Sequence, residues 1–495
     1  LLPALATVAL LALPAGAMRV GGGLVAADLA SGLLVAVALV AVARGRRPVL
    51  TVPGAVLFGA AALALGVVAL LSADQGTALA GYFRSSQVFV LVPLALLVVL
   101  RTRRDVRLLA GTVLALALVQ GTVGIWQFAT TSGASYMGED IRAVGTFGPL
   151  NVMGMATVVS YGLIIALAGG LAPPPGAPRW WRPAAFGCAG WLLVALAVSF
   201  SRGAWIAAAL AVAAVVVLSG CLTRRALALL LCAAALLTVA AAAGSPQLRD
   251  RITSIGQVAD SPDQSVIDRY AMWDAARAMW RTEPWTGVGL KGFAGHRDSY
   301  SSIALSSASD TGGAGLAFQR QSLESPHNMY LLVLSEQGLL GATALTGGWA
   351  ALLTGCLLRL SAARGRTAAR GRTAARGGAD DGGGWCAAGP DGSRPADAPA
   401  AASGGPPAGS VLVPGRELRA GHVPVRWWGR LRQAARRPAQ VPDVGLVATG
   451  LLVWQLVNFL YADIGGPTTV LTAVVFGLVA WWALAVPPPT RPDPS

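Results

Sequence analysis

Charge is scarce in this chain. Charged residues make up 12% of its 495 residues, against roughly 25% in a soluble globular domain, and this shortage argues against a water-soluble fold. Cysteine is also sparse. Of the five, Cys188, Cys221, Cys232 and Cys356 fall in apolar runs and Cys386 in a hydrophilic one, so the spacing shows no disulfide framework. The three histidines, His296, His327 and His422, are too dispersed to read as a metal site. No basic n-region precedes the first apolar run, which is therefore read as a membrane span and not as a secretory signal.

Long apolar runs are what the chain has in abundance. Hydrophobic residues are 55% of the total, and a run of about 20 spans the hydrocarbon core as a helix. Twelve windows qualify: 3–18, 24–43, 49–72, 86–100, 108–129, 148–171, 184–200, 203–222, 226–243, 328–358, 443–462 and 467–486. Unpaired backbone amides cannot face lipid, so these windows must be helices. The expectation is an all-α polytopic membrane protein of about 12 transmembrane helices with one long outer-face loop.

The arginines orient it. With a cytoplasmic N-terminus and alternating loops, 26 of the 38 basic residues fall on one side, among them Arg44, Arg101, Arg107, Arg179, Arg225, Arg359 and thirteen between Arg364 and Arg437. The two faces then carry about +18 and −3, and the positive-inside rule puts the first in the cytoplasm. Topology and contact with lipid headgroups account for the basic balance, and no nucleic-acid partner is needed.

Two hydrophilic segments interrupt this layout. The chain accordingly divides into helices one to nine over 1–243, an outer loop over 244–327, a tenth helix over 328–360, a cytoplasmic insertion over 361–442, two last helices over 443–486 and a cytoplasmic tail over 487–495. In the outer loop, Ser261-Pro262-Asp263-Gln264 reads as a capping box with proline at the first helical position. The helix it starts should stop near Thr282, before Pro284, with Val266, Tyr270, Trp273, Arg277 and Trp280 sharing one face. The insertion repeats R-G-R-T-A-A at Arg364 and Arg370 and continues in Gly, Pro, Ala and Asp. That composition cannot bury enough apolar surface to offset chain entropy, so it is expected to be disordered.

Ionisable residues at the outer helix ends are the candidates for chemistry, because such groups are costly in lipid unless they line a cavity or do work. Phe200-Ser201-Arg202-Gly203-Ala204-Trp205 sits between two apolar runs with almost no loop. Arg202 there either snorkels to the headgroups or acts as a fixed, planar cation for phosphate. Arg269 and Trp273, one turn apart, precede Gly287-Val288-Gly289 and Phe293. No strand precedes that G-x-G, so it is a weak nucleotide signal, and Arg269 could instead pair with Asp268 or Asp274. His327 and Asn328 open the tenth helix, with Glu336 nine residues on. A helix N-terminus disfavours imidazolium, which would keep His327 neutral and able to accept a proton. As an alternative, His327 is simply a turn or cap residue. Arg142 begins R-A-V-G-T-F-G-P-L-N, and Arg84 is a similar outer-end arginine. Asp28 reads as the one mid-helix charge outside these motifs.

The order of these motifs resembles the O-antigen ligase/polymerase family of bacterial membrane proteins. That pattern is R-x-x-G-T-F-x-x-x-N, S-R-G-A-W at a helix junction, an arginine helix in a long outer loop, G-x-G-x-x-x-F, H-N-x-x-L and E-x-G-x-x-G. All of them occur here in order over about 142–341. The resemblance implies a GT-C-like glycosyltransferase of the bacterial cytoplasmic (inner) membrane. Its donor would be a polyprenyl-diphosphate-linked oligosaccharide, its acceptor a glycan, lipid or protein, and it would use no metal or other cofactor. Arg202, Arg269 and His327 would be the catalytic residues, with Arg142, Arg84, Asn328, Glu336, Trp205 and Trp273 binding substrate. His327 would deprotonate the acceptor hydroxyl or hydrogen-bond phosphate. Alanine and arginine richness points to a GC-rich genome and to a ligase or polymerase of capsule, exopolysaccharide or cell-wall glycan. The insertion at 361–442 is longer than this family leads one to expect. Two other classes compete. A lipid-linked glycan flippase would show broken helices in matching halves, and a shape-and-division-type peptidoglycan glycosyltransferase would show an acidic catalytic residue in its outer loop.

Overall fold

A computed structural model describes residues 1–21, 24–46, 51–136, 139–148, 151–220, 264–301, 309–313, 319–321, 324–380 and 442–484. Most of these are helical. Seven helices are long and apolar enough to cross a membrane: Ala26–Ala43, Val52–Leu71, Gln75–Val99, Arg103–Ala129, Met153–Leu171, Arg202–Ser219 and Met329–Ala363. Four shorter apolar helices accompany them: Leu2–Ala12, Trp181–Ala197, Asp443–Asn458 and Thr469–Leu484. The expected span at 226–243 lies outside the described residues. So do the supposed capping residues Ser261, Pro262 and Asp263.

By contacts the chain divides into two units, Leu1–Ala363 with Pro438–Ser495, and Arg364–Arg437. In the second, helix is described as far as Asp380, the end of a helix that begins at Met329. Residues 361–380 are therefore helical where disorder was expected. Alanine and arginine, strong helix formers, fill the R-G-R-T-A-A repeats.

In the larger unit, Val152–Leu171 lies at the centre, with 89% of its apolar window buried, while Ala26–Ala43 has 28% buried and turns most of its surface outward. The central helix packs on Arg103–Ala129, Trp181–Ala197, Arg202–Ser219 and Pro442–Asn458. Gly162 makes one of these approaches possible, since a Cβ there would collide with Ala117; small residues let helix backbones close together in membranes. Every residue of Thr469–Leu484 is buried. Tyr161 and Gln455, both buried, hydrogen-bond to each other there.

At one end of this bundle Arg107 pairs with Asp443 at 2.9 Å, and Arg359 donates to the Trp482 carbonyl at 2.7 Å. The opposite ends of the same helices carry the motif residues. Among the described residues, short strands lie in connections: Arg19–Gly21 pairs with Leu24–Val25, and Glu139–Arg142, Ala134–Tyr136, Ser309–Gly313 and Gln319–Gln321 pair antiparallel in that order.

The outer-loop helix runs Gln264–Thr282 and stops before Pro284, as expected. Its buried face differs from the expected one. Asp268, Ala271, Met272, Ala275, Ala276 and Met279 are inside, whereas Tyr270 is 49% exposed and Arg277 pairs with Asp274. Small residues and methionine allow the closer approach.

Candidate functional site around the turn at 459–463

The helix Pro442–Asn458 ends in a turn whose first four carbonyls are occupied. The Met329 amide donates to the Phe459 carbonyl at 2.8 Å and to that of Ala462 at 3.2 Å. Asn328 donates through Nδ2 to the Leu460 carbonyl at 3.3 Å, and Arg269 through Nη1 to that of Tyr461 at 3.3 Å. A helix of the outer loop and the start of the tenth helix are thereby tied to the same four residues. Below the turn, Phe459 packs against Trp349 with ring centroids 5.0 Å apart.

His327 sits directly above this junction. Its backbone adopts φ +49°, a left-handed conformation that is rare and costly outside glycine. Two neighbours hold it there. Trp273 donates from Nε1 to the Pro326 carbonyl at 2.9 Å, and Asn328 caps the helix by accepting from the Leu331 amide at 3.1 Å. The cap residue is thus Asn328, not His327. Burial pushes the imidazole below its ordinary value of 6.5, Arg269 pushes the same way, and Asp463 opposes both. Desolvation, more than the helix dipole invoked from sequence, favours the neutral ring. A neutral ring at physiological pH can accept a proton.

Arg202 opens its helix, where the Ser201 hydroxyl accepts from the Ala204 amide at 3.4 Å. Its neighbour Gly203 lies against the turn, so that a Cβ there would sit 3.1 Å from Cβ of Tyr461. Phe200, just before, also has positive φ, +50°. The R-x-x-G-T-F-x-x-x-N stretch reaches the same place by another route. The Ala143 amide donates to the Val198 carbonyl at 3.2 Å, and Gln120 and Gln127, seven residues apart on one helix, bond Thr146, Val144 and Gly145. At its far end Asn151 faces Gly466. Arg202, Arg269 and His327 thus belong to segments that meet around one turn, and the Arg142 segment joins the Arg202 junction through Ala143 and Val198.

The two glycine motifs have a different job. The helix that begins at Met329 breaks at Gly338, with φ +59° and ψ −160°, a region open essentially to glycine alone. Into the break fits the backbone of 284–289. Val288 and Gly289 amides donate to the Ser335 and Glu336 carbonyls at 2.9 and 3.1 Å, and Leu339 and Leu340 amides to the Pro284 and Trp285 carbonyls at 2.8 and 3.2 Å. G-x-G and E-x-G-x-x-G are the two halves of this clasp. Glu336 adds to it by accepting from the Phe293 amide at 3.2 Å.

Arg84 is committed elsewhere, to Asp28 and Gln87. Asp28 is the third residue of Ala26–Ala43, near its end and not its middle. Trp205 donates to the Leu196 carbonyl at 2.8 Å. Asp463 escaped the sequence reading altogether. Its signal was the one used for the arginines, an ionisable residue at the outer end of an apolar run.

Residues 187–346 match the family model described as O-antigen ligase. Over that stretch the chain is similar to O-antigen ligases, a likeness that points to glycan transfer in the membrane. The matched stretch contains Arg202, Arg269, His327 and both halves of the clasp. Arg142 and Asp463 flank the matched stretch in sequence, and their neighbours Ala143 and Ala462 bond residues inside it, Val198 and Met329. No curated protein matches the chain.

Proposed function

We propose that this protein transfers a glycan from a polyprenyl diphosphate to an acceptor hydroxyl at the outer face of the bacterial cytoplasmic membrane. The observation that carries the reading is the meeting of Arg269, His327 and the neighbour of Arg202 at the 459–463 turn. The acceptor oxygen attacks C1 of the donor sugar, and the bond from C1 to the diphosphate oxygen breaks. His327 takes the hydroxyl proton, and the electron pair leaves with the diphosphate. Arg202 and Arg269, with Arg142 behind them, stabilise that growing charge from fixed positions. Displacement in one step inverts the anomeric centre.

The outer face follows from the arginine-rich ends. Asp443, paired with Arg107, and the turn at Phe459 lie at opposite ends of a 17-residue helix, about 25 Å apart at 1.5 Å per residue. If the arginine-rich end is cytoplasmic, the site is extracytoplasmic. The test is transfer by the purified protein in nanodiscs supplied with polyprenyl-diphosphate glycan, with and without chelator. Turnover should persist in EDTA and fall at least a hundredfold in Arg269→Ala. Loss of turnover in EDTA with rescue by magnesium would overturn the arginine mechanism, and absence of transfer by the wild type would overturn the reading as a whole.

A further inference from the structure

The outer-loop helix Gln264–Thr282 has two unlike faces. Ala271, Met272, Ala275, Ala276 and Met279 are turned inward, and a stripe at positions 270, 274, 277 and 281 is turned outward, the spacing of one helical face. Asp274, Arg277 and Arg281 make that stripe charged, the first two paired at 3.2 Å. A helix lying on lipid presents its apolar residues outward, so this stripe faces water. Its remaining member is Tyr270, 49% exposed. Exposure of one aromatic ring says little by itself; its bracing and its place say more. Trp273, one turn on, meets the ring nearly at right angles, with centroids 5.5 Å apart and planes at 76°, and one such neighbour covers at most one of its two faces. Trp273 is itself fixed by its bond to the Pro326 carbonyl at 2.9 Å, beside His327. On the other side of Tyr270 in sequence stands Arg269, bonded to the Tyr461 carbonyl at 3.3 Å. Tyr270 is thus a braced, open aromatic surface next to the site.

We propose that Tyr270 is the platform on which a sugar ring of the donor glycan stacks. This rests on the transfer reading above. A pyranose ring carries C–H groups on its faces and hydroxyls around its edge. The C–H face can pack on an aromatic ring while the hydroxyls stay in water, and tyrosine offers an apolar body with a polar tip for such a contact. Having only two side-chain torsions, it does so at small entropic cost. The occupant follows from the neighbours. Arg269 is the arginine assigned to the diphosphate, and the sugar is joined to that diphosphate through C1, so the ring beside Arg269 on a water-facing stripe meets glycan. A polyprenyl tail would need apolar surroundings, which Asp274 and Arg277 deny it. Tyr270 makes and breaks no bond. It sets where the glycan lies, and its contribution belongs to donor binding and not to the chemical step.

The test compares two ligands of the full-length protein in nanodiscs, polyprenyl diphosphate carrying its glycan and polyprenyl diphosphate with no sugar. Tyr270→Ala should weaken binding of the first by about tenfold and leave binding of the second unchanged. In turnover the same variant should show a raised KM for donor with kcat nearly preserved. Tyr270→Phe keeps the ring and should match the wild type, whereas Tyr270→Leu, apolar but not planar, should resemble Tyr270→Ala. The ring is half exposed, so all three variants should keep the wild-type Tm. Equal losses for both ligands in Tyr270→Ala would assign the residue to the diphosphate or to the lipid interface and overturn the platform. So would no loss for either ligand, a lowered kcat at unchanged KM, or a Tyr270→Phe protein as weak as Tyr270→Ala. If the wild type binds the glycan-bearing lipid but transfers nothing, the transfer reading fails, while the comparison of the two ligands still decides what Tyr270 holds.

Discussion

Arg84 and Arg269 were both offered by the sequence as partners for the substrate, yet the structure gives them different neighbours. Arg84 faces Asp28, whose side chain is 5% exposed, and removing one member of a buried pair leaves the other charge stranded. Arg84→Ala should therefore cost about 3 kcal/mol of stability, seen as a lower Tm in detergent, while turnover per folded molecule stays near wild type. For Arg269 the order reverses: Arg269→Lys should keep the Tm and lose activity, because lysine keeps the charge and loses the planar fork. The same comparison decides Arg202. A snorkelling arginine tolerates lysine freely, whereas one that grips diphosphate should lose about 2–4 kcal/mol of transition-state stabilisation, a thirtyfold to thousandfold fall in turnover at about 1.4 kcal/mol per decade. His327 sets the pH response. Its pKa lies below 6.5, and a base must be deprotonated to act, so turnover should be flat around neutrality and decline only as pH drops through that lowered value. A decline beginning above pH 7 would exclude His327 as the base.

Between residues and the whole bundle stands the clasp of 284–289 on the break at Gly338. The two glycine motifs let each other's backbone approach. An alanine at Gly338 would meet the Trp285 backbone in a conformation that already costs side-chain-bearing residues about 1–3 kcal/mol. Gly338→Ala should accordingly lower the Tm and speed proteolysis within 284–300, with loss of activity following from displacement of the helix that carries Arg269. A Gly338→Ala protein with wild-type Tm and turnover would show that the break is incidental. Three of the four described non-glycine residues with positive φ, Phe200, Lys291 and His327, fall in or beside the motifs. Strain of that kind persists where the surroundings over-determine it, and no periodicity in the sequence announces it.

At the scale of the molecule, the insertion is the part whose composition contributes least. Replacing 382–436 by a short Gly/Ser linker should leave insertion, Tm and in-vitro turnover close to wild type, since such sequence buries little apolar surface; loss of turnover in a stably inserted deletion would reveal a function there. What the sequence determined by itself is the membrane and the helices. Apolar runs of about 20 residues leave the backbone no alternative to helix in lipid, and charge is too expensive there to sit anywhere but at informative places. What it could not determine is which helices are central. Thr469–Leu484 is wholly buried and Ala26–Ala43 mostly not, although both are apolar all round, because a lipid-facing leucine and an interior one obey the same hydropathy. Nor could it pair Arg84 with Asp28, or bring the turn at 459–463 to Asn328 and Arg269 across the insertion. Those depend on which backbones approach one another, and only the packed tertiary structure decides that.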